Sequence, residues 1–170
     1  MEVPPRAPRF EDARVKGRVV TGVAALALSI AAGLVAKFEG TRYTAYPDPA
    51  TKGAPWTICE GHTRGVKQGD TATRAQCDDY LRQDLAEAND AIDRCITAPL
   101  SVNQRAALIS AVVNAGPPLV CGSTLQRKAN AGDLAGMCAE LSRWTWAAGR
   151  QLPGLVRRRA EERVLCERAA

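Results

Sequence analysis

Large side chains are scarce in this chain. Two Phe, three Tyr and three Trp among 170 residues leave Leu, Val, Ile and Ala to build most of any core. There is one histidine and no Cys-x-x-Cys pair, so the six cysteines (Cys59, Cys77, Cys95, Cys121, Cys138 and Cys166) have no partner set for a zinc site. Even in number and spread along the chain, they read as structural disulfides and imply an oxidising compartment, with the connectivity left open. The excess of 23 Lys+Arg over 18 Asp+Glu, a net charge of +5, suits a polyanionic partner such as nucleic acid, anionic lipid or an acidic cell-wall polymer. Basic motifs interleaved with aromatics are missing, which removes nucleic acid from the expected partners. No internal repeat is evident.

Residues 1–18 carry Pro4, Pro5, Pro8 and mixed charge, ending in Arg14, Lys16 and Arg18, the composition of a basic flexible leader. Residues 19–36 then run for 18 positions without a charge. As a helix this run spans about 27 Å, just enough to cross a hydrocarbon core. Three readings compete. A cleaved signal peptide would leave Glu39 near the new terminus. A core helix lacks a clear polar face. A weakly hydrophobic signal-anchor, rich in Ala and Gly, can enter a membrane and leave it, and the basic residues before it hold that end in the cytoplasm. The anchor reading predicts contact with inner-membrane lipid through residues 19–36 and export of the domain beyond them.

Residues 37–170 read as one folded domain. Gly, Pro and Thr become frequent at about 40–70, with turn signals at Asp48-Pro49 and Lys52-Gly53, which predicts a small antiparallel lobe of two or three strands. Thr73 with Gln76 caps a connecting helix over about 73–94, and Ser101 to Gln104 caps a second apolar helix ending near Gly116. Shorter helices fit 124–130, 134–144 and 155–168, within a helical lobe at about 100–168. Leu108, Val112, Leu125, Leu134, Leu141, Leu155 and Val164 are its expected core. The fold class is α+β, mainly helical.

Glu39 and Asp48 stand nine residues apart across a helix end and a turn. Glycoside hydrolysis needs one carboxylic acid to protonate the leaving oxygen and a second group to deliver water or a nucleophile. Glu39 follows Phe38 and an apolar helix, a setting that suits an acid, whereas Asp48 sits in a polar turn that suits a carboxylate. Thr57 is placed to hold water with that carboxylate. Each residue also has a plain structural explanation, in a helix end and in turn chemistry.

The pattern Phe38-Glu39-Gly40, Tyr46-x-Asp48 and Trp56-Thr57-Ile58-x-x-Gly61-His62-Thr63 closely resembles the phage-type lysozymes of glycoside hydrolase family 24. The resemblance extends over roughly residues 30–168. It takes in Gln104 to Gly116, Gly122-Ser123-Thr124-Leu125, and Arg143-Trp144 with Gly149 beyond. It implies a lysozyme-like fold with a β lobe, a connecting helix and a helical lobe. The implied activity is hydrolysis of the β-1,4 bond between N-acetylmuramic acid and N-acetylglucosamine in peptidoglycan, as in host lysis by an endolysin. Glu39, Asp48 and Thr57 are then the catalytic residues, and Asn114 and Arg143 bind substrate. The resemblance also implies a structural pair of His62 with Asp84, and a disulfide between Cys95 and Cys121. The Asp-to-Thr gap is longer than is usual in the family, so Thr51 is an alternative to Thr57, although Thr57 alone has the Gly-His-Thr context. Glu60 adds a third acid nearby.

Some phage endolysins resemble this chain in carrying an uncleaved signal-anchor that is later released, which fits residues 19–36 and action in the periplasm after tethering. No cofactor and no metal are expected, and the chain is expected to act as a monomer on glycan strands. Two other functions remain open: a peptidoglycan lytic transglycosylase, for which one acid suffices, and a non-catalytic membrane-anchored module that binds the cell wall.

Overall fold

The computed structural model describes residues 22–48 and 53–168. The leader predicted at 1–18 and the first residues of the apolar run lie outside them. The rest of that run forms helix α1, Gly22–Glu39. Its buried residues Ala27, Ala31 and Val35 recur every fourth position, which puts them on one face. Small side chains on that face let α1 approach closely the helix α3, Val102–Ala115, against which it packs.

Between these helices the chain makes a hairpin and a long helix. Strand β1 (Arg42–Asp48) pairs antiparallel with β2 (Gly53–Cys59), with Tyr46 opposite Thr57 and Asp48 opposite Gly53. Single bridges from Thr44 to Thr71 and from Ile58 to His62 extend this pair into a lobe with its own small core of Ala45, Ile58, Cys59 and Cys77. Helix α2, Arg74–Cys95, leads away from it. Its first turn is closed by a capping box: Thr73 Oγ1 accepts from the Gln76 amide at 3.3 Å and Gln76 Oε1 accepts from the Thr73 amide at 2.7 Å. Ser101 and Gln104 repeat the device at α3. Such caps are each worth about 1 kcal/mol.

Helix α3 is the centre of the helical lobe. Its residues from Ala106 to Val112 are all buried, with α1, α2 and the terminal helix α6 (Pro153–Glu167) around it. Between α3 and α6 lie α4 (Thr124–Asn130), α5 (Leu134–Glu140) and a two-residue hairpin of β3 (Trp146–Ala147) and β4 (Arg150–Gln151). Disulfides join Cys59 to Cys77, Cys95 to Cys121 and Cys138 to Cys166. The first ties the hairpin lobe to α2, and the other two staple the helical lobe.

Four of the expected core residues, Leu108, Val112, Leu125 and Leu141, are buried, and Leu134 packs partly buried against them. Val164 is not core: it is 54% exposed. The buried face of α6 is instead Arg158, Arg159, Glu162 and Cys166. Apolar periodicity selects the wrong face of this helix, because the face it buries is charged.

Candidate active site

The last turn of α1 delivers Glu39. Directly after it Gly40 takes a left-handed conformation, φ 63°, which ends the helix and turns the chain into β1. A second glycine shapes the space around the carboxyl. The amides of Ile58 and His62 each donate to the other's carbonyl at 2.9 Å, closing a tight loop in which Gly61 has φ 92°. A Cβ on Gly61 would lie 3.5 Å from the carboxyl carbon of Glu39. The glycine therefore permits both the left-handed turn and the approach of the loop to the acid.

On its other side Glu39 is held from α6. Arg158 Nη1 donates to Glu39 Oε1, Nε to Glu162 Oε1 at 3.0 Å, and Nη2 to the Ser110 carbonyl at 3.1 Å. Glu162 Oε1 also accepts from Ser110 Oγ at 2.7 Å, and its Oε2 accepts from Arg159 Nη1. Arg159 Nη2 in turn donates to Asn114 Oδ1. The side chains of Arg158, Arg159 and Glu162 are 4%, 1% and 0% exposed, against 23% for Glu39. Burial pushes the Arg159 guanidinium below its ordinary value, and the Glu162 carboxylate beside it works in the opposite direction. Two guanidiniums face two carboxylates, and Glu39 is the carboxylate that opens on a cleft of about 790 Å³, lined also by Phe38, Asn114, Trp144, Leu152 and Arg158.

Thr57 lies in β2 and is 7% exposed. Asp48 closes β1; its side chain and all of Thr51 lie outside the described residues. Asn114 lies in the last turn of α3 and lines the same cleft as Glu39. Arg143 does not line that cleft. It borders a neighbouring cavity of about 590 Å³, which shares Trp144 and Trp146 with the first. His62 stacks on Tyr80 with ring centroids 4.3 Å apart, its Nδ1 2.9 Å from Asp84 Oδ2 and its Nε2 3.1 Å from the Arg64 carbonyl. Both ring nitrogens are engaged, which leaves neither free to act as a base. Glu60 accepts from Thr41 Oγ1 at 2.7 Å.

Sequence reasoning missed Arg158, Arg159, Glu162 and Ser110. A run such as Arg157-Arg158-Arg159-Ala160-Glu161-Glu162 reads as a solvated helix face. The available signal was the i, i+3 and i+4 spacing of Glu162 from Arg159 and Arg158, which puts an acid within reach of both.

The resemblance carried by these residues extends to whole proteins. A family model for phage lysozyme matches residues 36–162. The chain is 40% identical over 129 residues to a SAR-endolysin of Enterobacteria phage P21, covering 75% of this chain and 76% of the relative. It is 36% identical over 159 residues to a SAR-endolysin of Bacteriophage PS119, covering 89% and 93%. Among solved structures, the muramidase domain of SpmX from Asticaccaulis excentricus superposes with a TM-score of 0.72 at 31% identity, covering 82% of this chain and 95% of that one. On this match of sequence, fold and acid-bearing cleft, the chain belongs to the phage lysozyme family and is a lysozyme-type glycosidase of the endolysin kind.

Proposed function

We propose that the protein hydrolyses the β-1,4 bond between N-acetylmuramic acid and N-acetylglucosamine in peptidoglycan, with Glu39 as general acid. The observation that carries this reading is Glu39 itself: a partly exposed carboxyl on an apolar helix, reaching a cleft of about 790 Å³ and gripped from behind by a buried arginine. Glu39 protonates the glycosidic oxygen as the bond to the anomeric carbon breaks, so the leaving sugar departs as a neutral alcohol. Asp48, with the Thr57 hydroxyl, holds a water on the opposite face of the ring and accepts its proton as the oxygen attacks. The product is then an inverted, reducing sugar. This arrangement requires the two carboxyl groups about 6.5–9.5 Å apart. Asn114, beside Glu39 in the cleft, is a substrate contact.

Product chemistry tests the reading. Wall digested in oxygen-18 water is expected to yield reducing muramic ends carrying one labelled oxygen. Unlabelled anhydro-muramic ends would overturn it in favour of a transglycosylase.

The place of action depends on α1. Among the described residues it is the helix long and apolar enough to cross a membrane, and only its Ala27, Ala31 and Val35 are buried. The same residues cannot span a bilayer and pack against α3 at once. In this proposal the exported chain is first tethered to the inner membrane through α1 and inactive, because Glu39 is not in place. Release lets Ala27, Ala31 and Val35 dock and brings Glu39 to Arg158. Fractionation is expected to find tethered protein inactive and released protein, with α1 retained, active. A mature chain that starts after Ala36, or a fully active tethered form, contradicts it.

A further inference from the structure

The general acid is held by an arginine that is itself held, and the holder has no part in the proton transfers. Each nitrogen of Arg158 has its own acceptor: Glu39 for Nη1, Glu162 for Nε at 3.0 Å and the Ser110 carbonyl for Nη2 at 3.1 Å. A guanidinium is planar, so fixing Nε and Nη2 fixes the direction in which Nη1 points. We infer that Glu162 is a positioning residue for the reaction, aiming Arg158 at the carboxyl of Glu39 and, through Arg159, orienting the amide of Asn114. The inference rests on the reading of Glu39 as the acid.

The chemistry of the position points to a carboxylate. Three donors converge on Glu162: Ser110 Oγ and Arg158 Nε on one oxygen and Arg159 Nη1 on the other. An ionised carboxylate is acceptor-only and serves all of them, whereas a glutamine must turn an NH2 group toward one guanidinium. Glu162 is fully buried, so no water replaces a lost contact cheaply. Its second branch reaches the cleft as well. Arg159 engages the Asn114 oxygen, which leaves the amide NH2, a donor, as the group available to a sugar or acetamido oxygen. One carboxylate thus sets the direction of two cleft-lining groups that come from different helices, α1 and α3.

A purely structural ion cluster predicts lost stability and unchanged turnover by the molecules that fold. A positioning residue predicts lost turnover in folded protein. The test is steady-state kinetics on soluble peptidoglycan fragments, normalised to folded enzyme by near-UV circular dichroism, for Glu162→Gln, Ser110→Ala, Arg158→Gln and the Arg158→Gln/Glu162→Gln double variant. For Glu162→Gln, kcat is expected to fall about tenfold or more, with KM changing less, because the acid is misplaced. Ser110→Ala, which removes one donor and is the milder change, is expected to lower kcat about threefold. In the Arg158→Gln background, Glu162→Gln should lower kcat by clearly less than it does in the parent, because its route to Glu39 is already cut and only the branch through Arg159 to Asn114 remains. Unchanged kcat per folded molecule in Glu162→Gln, or fully additive losses in the double variant, would overturn the inference. Glu39→Gln serves as the control. Full activity there removes the reading of the acid, whereas an inactive Glu39→Gln beside a normal Glu162→Gln removes only the inference about Glu162.

Discussion

Arg158, Arg159, Glu162 and Glu39 form one ionic cluster, and His62, Asp84, Arg64 and Glu87 form another, in opposite surroundings. In the first, the two arginines and Glu162 are almost wholly enclosed. In the second, Arg64 and Glu87 are 55% and 57% exposed, and only His62, at 5%, is enclosed. Burying charge is expensive unless every partner is supplied, so the first cluster costs much to assemble and more to break. The second gains little from its charges, because water screens them, and its firm contact is the stack of His62 on Tyr80. The contrast separates two tasks: the buried cluster fixes the carboxyl proposed above as the general acid, and the exposed one pins the loop after Gly61 onto α2.

Substitutions sharpen this contrast. The largest expected effect is in the buried cluster, where Arg158→Met takes a donor from Glu39, Glu162 and the Ser110 carbonyl. Because the buried Glu162 is left short of a charged partner, unfolding free energy should fall by about 3–5 kcal/mol, read by urea denaturation. A cost below about 1 kcal/mol, the range of exposed pairs, would dissolve the distinction. Next comes the staple beside the second cluster. Replacing Cys59 and Cys77, 18 residues apart, by alanine should cost about 3 kcal/mol. Hydrogen exchange should show the loss concentrated in the hairpin lobe, since the helical lobe keeps its own two disulfides. Arg64→Ala should cost about 0–1 kcal/mol, and a loss comparable to Arg158→Met would contradict the division of tasks. Smallest of all, Val164→Ser, on the exposed side of α6, should stay within about 0.5 kcal/mol of the parent by thermal melting.

Much of this architecture was legible in the sequence, and the part that was not has a physical cause. Thr73 with Gln76 and Ser101 with Gln104 announce helix starts because capping is local chemistry, readable from four residues. The hairpin was readable from turn residues for the same reason. Glu39 stood out through the motif around it, Phe38-Glu39-Gly40 followed by Asp48 and the Trp56 to Thr63 segment, since an acid at a helix end is by itself commonplace. Arg158 and Glu162 did not, because their burial is a tertiary fact: the pocket that accepts them is built by Ser110 and Asn114 on α3 and by Glu39 on α1. The same blindness promoted Val164 to the core. Periodicity assumes that buried means apolar, and α6 buries its charges. Arg143, singled out beside Asn114, borders the neighbouring cavity, a separation that linear order does not reveal.

Glu39 is the cleft-facing carboxyl that the buried cluster holds, and the most direct test of its proposed role as general acid is the rate of peptidoglycan hydrolysis by folded, disulfide-intact Glu39→Gln. Glutamine keeps the shape and an oxygen for Arg158 but has no proton to give at the acidity the reaction needs. Turnover per folded molecule is expected to fall by about 10²–10⁴-fold while binding to wall fragments persists. Turnover equal to that of the parent protein would contradict the assignment of the acid and leave the cleft as a binding site.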